Sequence, residues 1–172
     1  MKSKGFLIGL ILIVVLLSFI LFIRVHRKAK EEKIWEEVEL YLADFNSPGG
    51  PFLVPVKVKI EKDNVLASAM DLLTSPPLQL KGVTSPLPPG TKCLSAEIQG
   101  DTAYINFSKE LKDNFSGGST NEMLVVYSIV NTACSIKGIK KAQILIDGKG
   151  TDSLGGHIDI SSPLEPDREL VK

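Results

Sequence analysis

Three kinds of hydrophobic periodicity follow one another along this chain. Residues 6–23, FLIGLILIVVLLSFILFI, carry no charge. Eighteen residues at ~1.5 Å rise make roughly 27 Å of helix, close to the ~30 Å hydrocarbon core of a bilayer. From 31 to 45 the apolar positions Ile34, Val38, Tyr41 and Phe45 recur at spacings of four, three and four, with glutamates opposite, which predicts an amphipathic helix. Asn46-Ser47-Pro48-Gly49-Gly50-Pro51 neither propagates a helix nor holds a ladder, and marks a linker. Beyond it the period changes to two. Val54, Val56, Val58 and Ile60 alternate with Pro55, Lys57 and Lys59, a strand with one buried face that Pro55 confines to an edge.

The remaining pattern completes a small α+β domain. A helix begins after Asp63-Asn64 and stops before Ser75-Pro76-Pro77, and a Pro- and Ser-rich passage runs to Gly90. Residues 92–98 and 102–107 alternate around Gln99-Gly100-Asp101 and form a hairpin. Ser119 and Glu122 have capping-box spacing at the start of the longest helix, which reaches about Ile136. Its β-branched residues lower helix propensity, so it must gain stability from burial. Residues 142–146 give a strand ending at Asp147-Gly148, and 157–160 a further short one. The expected fold is a β-α-β-β-α-β two-layer sandwich, with two helices on one face of a mainly antiparallel sheet, behind an N-terminal transmembrane helix. The expected organisation is a short tail (1–5), a signal-anchor helix (6–23), a juxtamembrane helix or stalk (24–45), a linker (46–51), one domain (52–166) and a C-terminal tail (167–172).

Charge changes the picture mainly at the membrane. Phe6, Leu7, Ile8, Leu10 and Ile23 belong to the anchor, with Lys2 and Lys4 before it and Arg24, Arg27 and Lys28 after it. A cleaved secretory signal would have a core of ~7–15 residues and a small-residue cleavage site; this run is longer, and Arg24-Val25-His26-Arg27-Lys28 follows it. No cysteine follows it as a point of lipid attachment. Basic residues on both flanks leave the orientation undecided by charge. Of 20 basic and 20 acidic residues, 7 and 6 lie before Asn46 and 13 and 14 after it, so the domain is near neutral. Its basic residues are scattered, which argues against a nucleic-acid partner.

Candidate chemistry is sparse. Cys93 and Cys134 lack metal-site spacing and suit small apolar core positions. His26 and His157 are the only histidines, which removes most triad and multi-histidine metal schemes. Gly148-Lys149-Gly150 lacks the glycine and the hydroxyl residue of a phosphate loop. The one drawable acid–base group is His157 with Asp159 and Asp147, and a histidine that fixes a glycine-rich turn explains it more simply. No catalytic residue, metal or cofactor is assigned.

The ordered set Ser85-Pro86-Leu87-Pro88-Pro89-Gly90-Thr91-Lys92, Ala103-Tyr104-Ile105-Asn106-Phe107-Ser108, Gly118-Ser119, Ala142-Gln143-Ile144-Leu145-Ile146-Asp147-Gly148, Gly156-His157-Ile158-Asp159 and Pro163-Leu164 resembles the GerMN domain of bacterial sporulation and spore-germination proteins. The resemblance covers about 54–166, and Asp147, Gly148, Gly156, His157, Asp159 and Pro163 are its motif residues. It implies a membrane-anchored domain held outside the cytoplasm, with the N-terminus inside and no catalytic activity. It further implies a role in assembling or positioning an envelope complex in sporulation or germination, with the bilayer and envelope or sporulation proteins as partners and self-association left open. The alternatives are a glycan- or muropeptide-binding module, against which the lack of a tryptophan in the domain counts, and a wall hydrolase built on Asp147, His157 and Asp159. This chain departs from the best-known members in carrying one copy of the domain and a transmembrane anchor without a lipoprotein cysteine.

Overall fold

The computed structural model describes residues 12–22, 34–77 and 80–172. The chain divides into two units, residues 1–34 and residues 35–172. In the first, residues 12–22 are helical and their large apolar side chains, Leu12 to Phe22, are exposed. Among the described residues no helix is long and apolar enough to cross a membrane. The assigned anchor positions Phe6, Leu7, Ile8, Leu10 and Ile23 lie outside the described residues.

The second unit begins with a hairpin. Strand β1 (Trp35–Asp44) pairs antiparallel with β2 (Phe52–Glu61), with Val38 opposite Val58 and Leu40 opposite Val56. Of the amphipathic helix expected over 31–45, residues 35–44 are a strand, and the part of the expected stalk before Ile34 lies outside the described residues. The strand's alternation of Val38, Leu40 and Leu42, all buried, wins over the helical spacing, whose ends Ile34 and Phe45 remain exposed. Residues 46–51 are the hairpin turn, with Gly49 and Gly50 at φ 99° and 124°, and not a domain boundary. Asn46 N–H donates to Asp44 Oδ1 at 2.8 Å and helps close it.

A single turn (Lys62–Asn64) leads into helix α1 (Val65–Thr74), followed by β3 (Cys93–Gln99), β4 (Thr102–Phe107), the short α2 (Glu110–Asp113), α3 (Ser119–Cys134) and β5 (Lys141–Ile146). The expected element order is present, preceded by β1. Among the described residues there are two sheets and not one: β1–β2, and β3–β4–β5, in which β4 and β5 run parallel. The parallel pair follows from the helical crossover through α3, since a parallel neighbour needs a long connection. The strand expected at 157–160 is loop; Leu164 instead bridges Ala142 on the outer side of β5. The C-terminal residues are not a loose tail. Leu53 N–H donates to Leu170 O, Lys172 N–H donates to Leu53 O, and the Asn131 side chain bonds both backbone groups of Asp167.

Helix α3 is the centre of the second unit. It packs on β1 and on β5, and ten of its sixteen residues are buried. That explains how so β-branched a segment stays helical: each buried Leu, Ile or Val gains ~1.5–3 kcal/mol. Val126, Ile129, Val130 and Ala133 join Leu40, Phe107 and Ile144 in the main core, and Leu124 joins Tyr41, Ala43 and Leu53 in a second cluster. The helix also closes the outer edge of β1, where a strand would leave unpaired backbone. Ser128 Oγ donates to Tyr41 O, Thr132 Oγ1 accepts from Tyr41 N–H at 3.0 Å, and Ser135 Oγ meets both backbone groups of Glu39 at 3.2 Å. Ala43 completes the edge by pairing with Thr84.

Candidate functional site

The loops gather around the first turn of α3. Gly118 is its N-cap residue, and no side chain bonds the cap. The expected capping box is absent because Ser119 already lies inside the helix and Glu122 points elsewhere. Glu122 is fully buried, and its carboxylate receives four backbone bonds or approaches from the late loop. Leu154 N–H and Gly155 N–H donate to Oε1 at 2.9 and 2.8 Å, and His157 N–H donates to Oε2 at 2.9 Å. Burial pushes this carboxyl's pKa up. The N–H groups of Gly155, His157, Leu154 and Ile158 outweigh burial and hold it below the ordinary glutamate value.

The loop so held closes on itself. Ile160 N–H donates to Asp152 O at 2.8 Å, Gln143 Nε2 donates to Ile160 O at 2.9 Å, and Leu154 and Ile160 are buried. Gly155 is required on steric grounds: a Cβ there would stand 2.6 Å from Phe115 Cε1 and 3.1 Å from Glu122 Oε2. Phe115 in turn lines a pocket of ≈ 160 Å³ whose other walls include Phe45, the prolines 86, 88 and 89, and Asn114. The Pro-rich segment is fixed there. Thr91 Oγ1 donates to Pro88 O at 2.7 Å and Asn114 Nδ2 to Pro89 O at 2.8 Å.

The motif residues separate into two groups. Gly156, His157 and Asp159 line a hollow of ≈ 380 Å³ on the outside of the late loop, with Asp152, Ser153 and Ser161. The His157 side chain is exposed. Asp159 Oδ1 accepts from Ser161 N–H at 2.9 Å, and its bonds to Ser161 hold its pKa below the ordinary aspartate value. Asp147, Gly148 and Pro163 are not among the residues lining the hollow. Asp147 (φ 47°) and Gly148 (φ 76°) form the two-residue turn after β5, closed by reciprocal bonds between Ile146 and Lys149, the geometry that favours Asp-Gly. Gly148 N–H also donates to Asn106 Oδ1 at 2.7 Å. Pro163 is exposed beside the Leu164 bridge.

Cys93 and Cys134 are free and half-buried, and burial pushes each thiol up to about 11. They are protonated at neutral pH and act as small apolar groups. Among the described residues no cluster of three His, Cys, Asp or Glu side chains could hold a metal ion. Glu122 is the residue the sequence reading misplaced. A signal was present: it shares a helical face with Val126, Ile129 and Ala133, so its charge falls on the side that is buried.

A family model described as Germane, sporulation and spore germination, matches residues 39–152. A candidate lipoprotein from Clostridium perfringens is 31% identical over 76% of this chain and 87% of that one, with a TM-score of 0.54. The first GerMN domain of the Bacillus subtilis sporulation protein GerM aligns over 78% of this chain and 98% of its own, at 24% identity and a TM-score of 0.60. The tandem GerMN domains of the same protein align over 80% of this chain at 15% identity and a TM-score of 0.65, and there the match spans 48% of the longer chain. No curated protein matches the chain. The family model covers well over half of the sequence, across both sheets and into the late loop, and the chain belongs to the GerMN (Germane) family of sporulation and spore germination domains.

Proposed function

We propose that this chain is a membrane-tethered, non-catalytic interaction module whose domain lies outside the cytoplasm, where it helps assemble or position an envelope complex during spore formation or germination. Residues 6–23 supply the tether, and the apolar surface of helix 12–22 suits a lipid surrounding. A lipid-attached relative would hold the same domain at a membrane by other means. The observation that carries the reading is how the polar groups around the late loop are used. Glu122 holds backbone, Asp159 holds Ser161, Asn114 holds Pro89, and Asp147 forms a turn and is not among the residues lining the hollow. Side chains engaged in this way shape a surface for a neighbour and are not left free for chemistry, and exposed loops on a rigid scaffold commonly serve recognition.

A glycan-binding reading draws on the same hollow, since Asp152, Ser153, Asp159 and Ser161 are groups that pair with sugar hydroxyls. Photocrosslinkers placed at Ser153 or Ser161 of the full-length protein in sporulating cells distinguish the two. A protein adduct from these positions and not from Glu97, exposed on β3, supports the module. Adducts to wall fragments alone transfer the function to glycan binding, and equal yields from all three positions sink the assignment of this surface. Protease added to intact protoplasts tests orientation: a domain left intact inside would overturn it.

A further inference from the structure

We propose that residues 152–160 form a strap that opens as a local unit, latched by the Glu122 carboxylate lying in an anion-binding nest of the strap's own N–H groups. The strap has a narrow neck, where Ile160 N–H donates to Asp152 O, and the carboxylate enters from α3 to bond Leu154, Gly155 and His157. Converging backbone N–H groups form an anion-binding concavity; here the donors meet both oxygens of a carboxylate supplied by the same chain, a two-oxygen geometry that a spherical ion does not match. Compact loops of this kind usually fill their interior with their own side chains. This one sends Leu154 and Ile160 into the main core and takes its charged partner from another element. Neither β4 nor β5 depends on that partner for its ladder, and β1 is held by hydroxyls further along α3. Removing the carboxylate should therefore free the strap and its outer hollow without dissolving the domain.

The nest recognises a carboxylate as such, so an unattached one should replace the missing side chain. Truncation by Glu122→Ala removes Cγ and the carboxylate, and acetate has those same heavy atoms. The test uses the full-length protein in detergent, with amide exchange read residue by residue. In Glu122→Ala the amides of Leu154, Gly155 and His157 are expected to lose about tenfold or more of their protection, while the signals of β4 and β5 keep their native positions. Acetate is expected to restore the lost protection saturably, and chloride at the same ionic strength is not. If Glu122→Ala does not fold, Glu122→Gln carries the test: it keeps the shape but turns an NH2 toward one of the donors, and should loosen the same three amides. Unfolding of the whole domain in both variants overturns the local latch, as does a strap that stays protected. Acetate acting no better than chloride overturns the nest.

Discussion

Near its first turn α3 grips the late loop through one buried carboxylate, whereas from Ser128 onward it grips the edge of β1 through three hydroxyls. The carboxylate only accepts, so it collects several N–H donors at one point, and hydrogen bonds to a charge are roughly twice as strong as neutral ones. A hydroxyl donates and accepts, and can serve both an N–H and a C=O of the strand, as Ser135 does for Glu39. The loop's charged attachment is thus concentrated in one side chain, beside the Gln143 bond to Ile160 O and the core contacts of Leu154 and Ile160. That of β1 is spread over three hydroxyls, the ladder to β2 and the core side chains Val38, Leu40 and Leu42. Concentrated attachment makes an element that can let go; spread attachment makes one that unfolds only with the rest.

The largest expected effect falls on the concentrated side. Glu122→Ala should lower stability by about 3 kcal/mol, because a buried N–H donor at Leu154 and part-buried ones at Gly155 and His157 lose a charged acceptor; denaturant titration of the detergent-solubilised chain measures it. A loss as small as that of a single hydroxyl would erase the contrast. Acid sharpens the same point. The folded-state pKa of Glu122 lies below its unfolded value, so its contribution is complete above that value. It should begin to decline as pH falls through ~4.3 and continue down to the folded pKa. Glu122→Gln should flatten that part of the stability–pH curve.

Gly155→Ala attacks the loop by crowding, and a Cβ 2.6 Å from the Phe115 ring should cost about 2 kcal/mol, with the loop amides disturbed first. On the spread side, Thr132→Val leaves Tyr41 N–H without an acceptor and should cost about 1.5 kcal/mol, with exchange raised along the whole of β1 and not at Tyr41 alone. Exchange confined to Tyr41 would show that this attachment too is local. The smallest effect is expected at the exposed Lys57–Glu37 pair, 2.8 Å apart on the outer face of the hairpin. Surface pairs of this kind contribute little, and Lys57→Ala should leave the denaturation midpoint unchanged within error.

Much of the domain was legible because single residues carry unambiguous signals. Asp147-Gly148 announces a tight turn, Pro76-Pro77 ends α1 where expected, and the alternation of Ala103, Ile105 and Phe107 marks the buried face of β4. β1 was not legible as a strand because Ile34, Val38, Tyr41 and Phe45 satisfy a helical period as well as Val38, Leu40 and Leu42 satisfy a period of two. Only the tertiary neighbours, β2 and the hydroxyls of α3, decide between them. Glu122 was misread for a related reason. Its spacing from Ser119 has a local explanation, and the loop that uses it instead arrives more than thirty residues later. The motif residues could be named from the sequence, but their separation into a turn and a hollow depends on the course of residues 148–158, which no periodicity describes.

The pairing of β1 with β2 governs where this protein can be cut. A fragment started at Pro51, where prolines and glycines invite the choice, would lose a whole strand. Val56, Val58 and Ile60 would then face water, Ser128 and Thr132 would lose their strand partners, and Ser135 would keep only its bond to Thr132 O. Such a fragment should aggregate on expression, through a bare strand edge seeking a replacement. A fragment begun a few residues ahead of Trp35 keeps the domain's first stave in place.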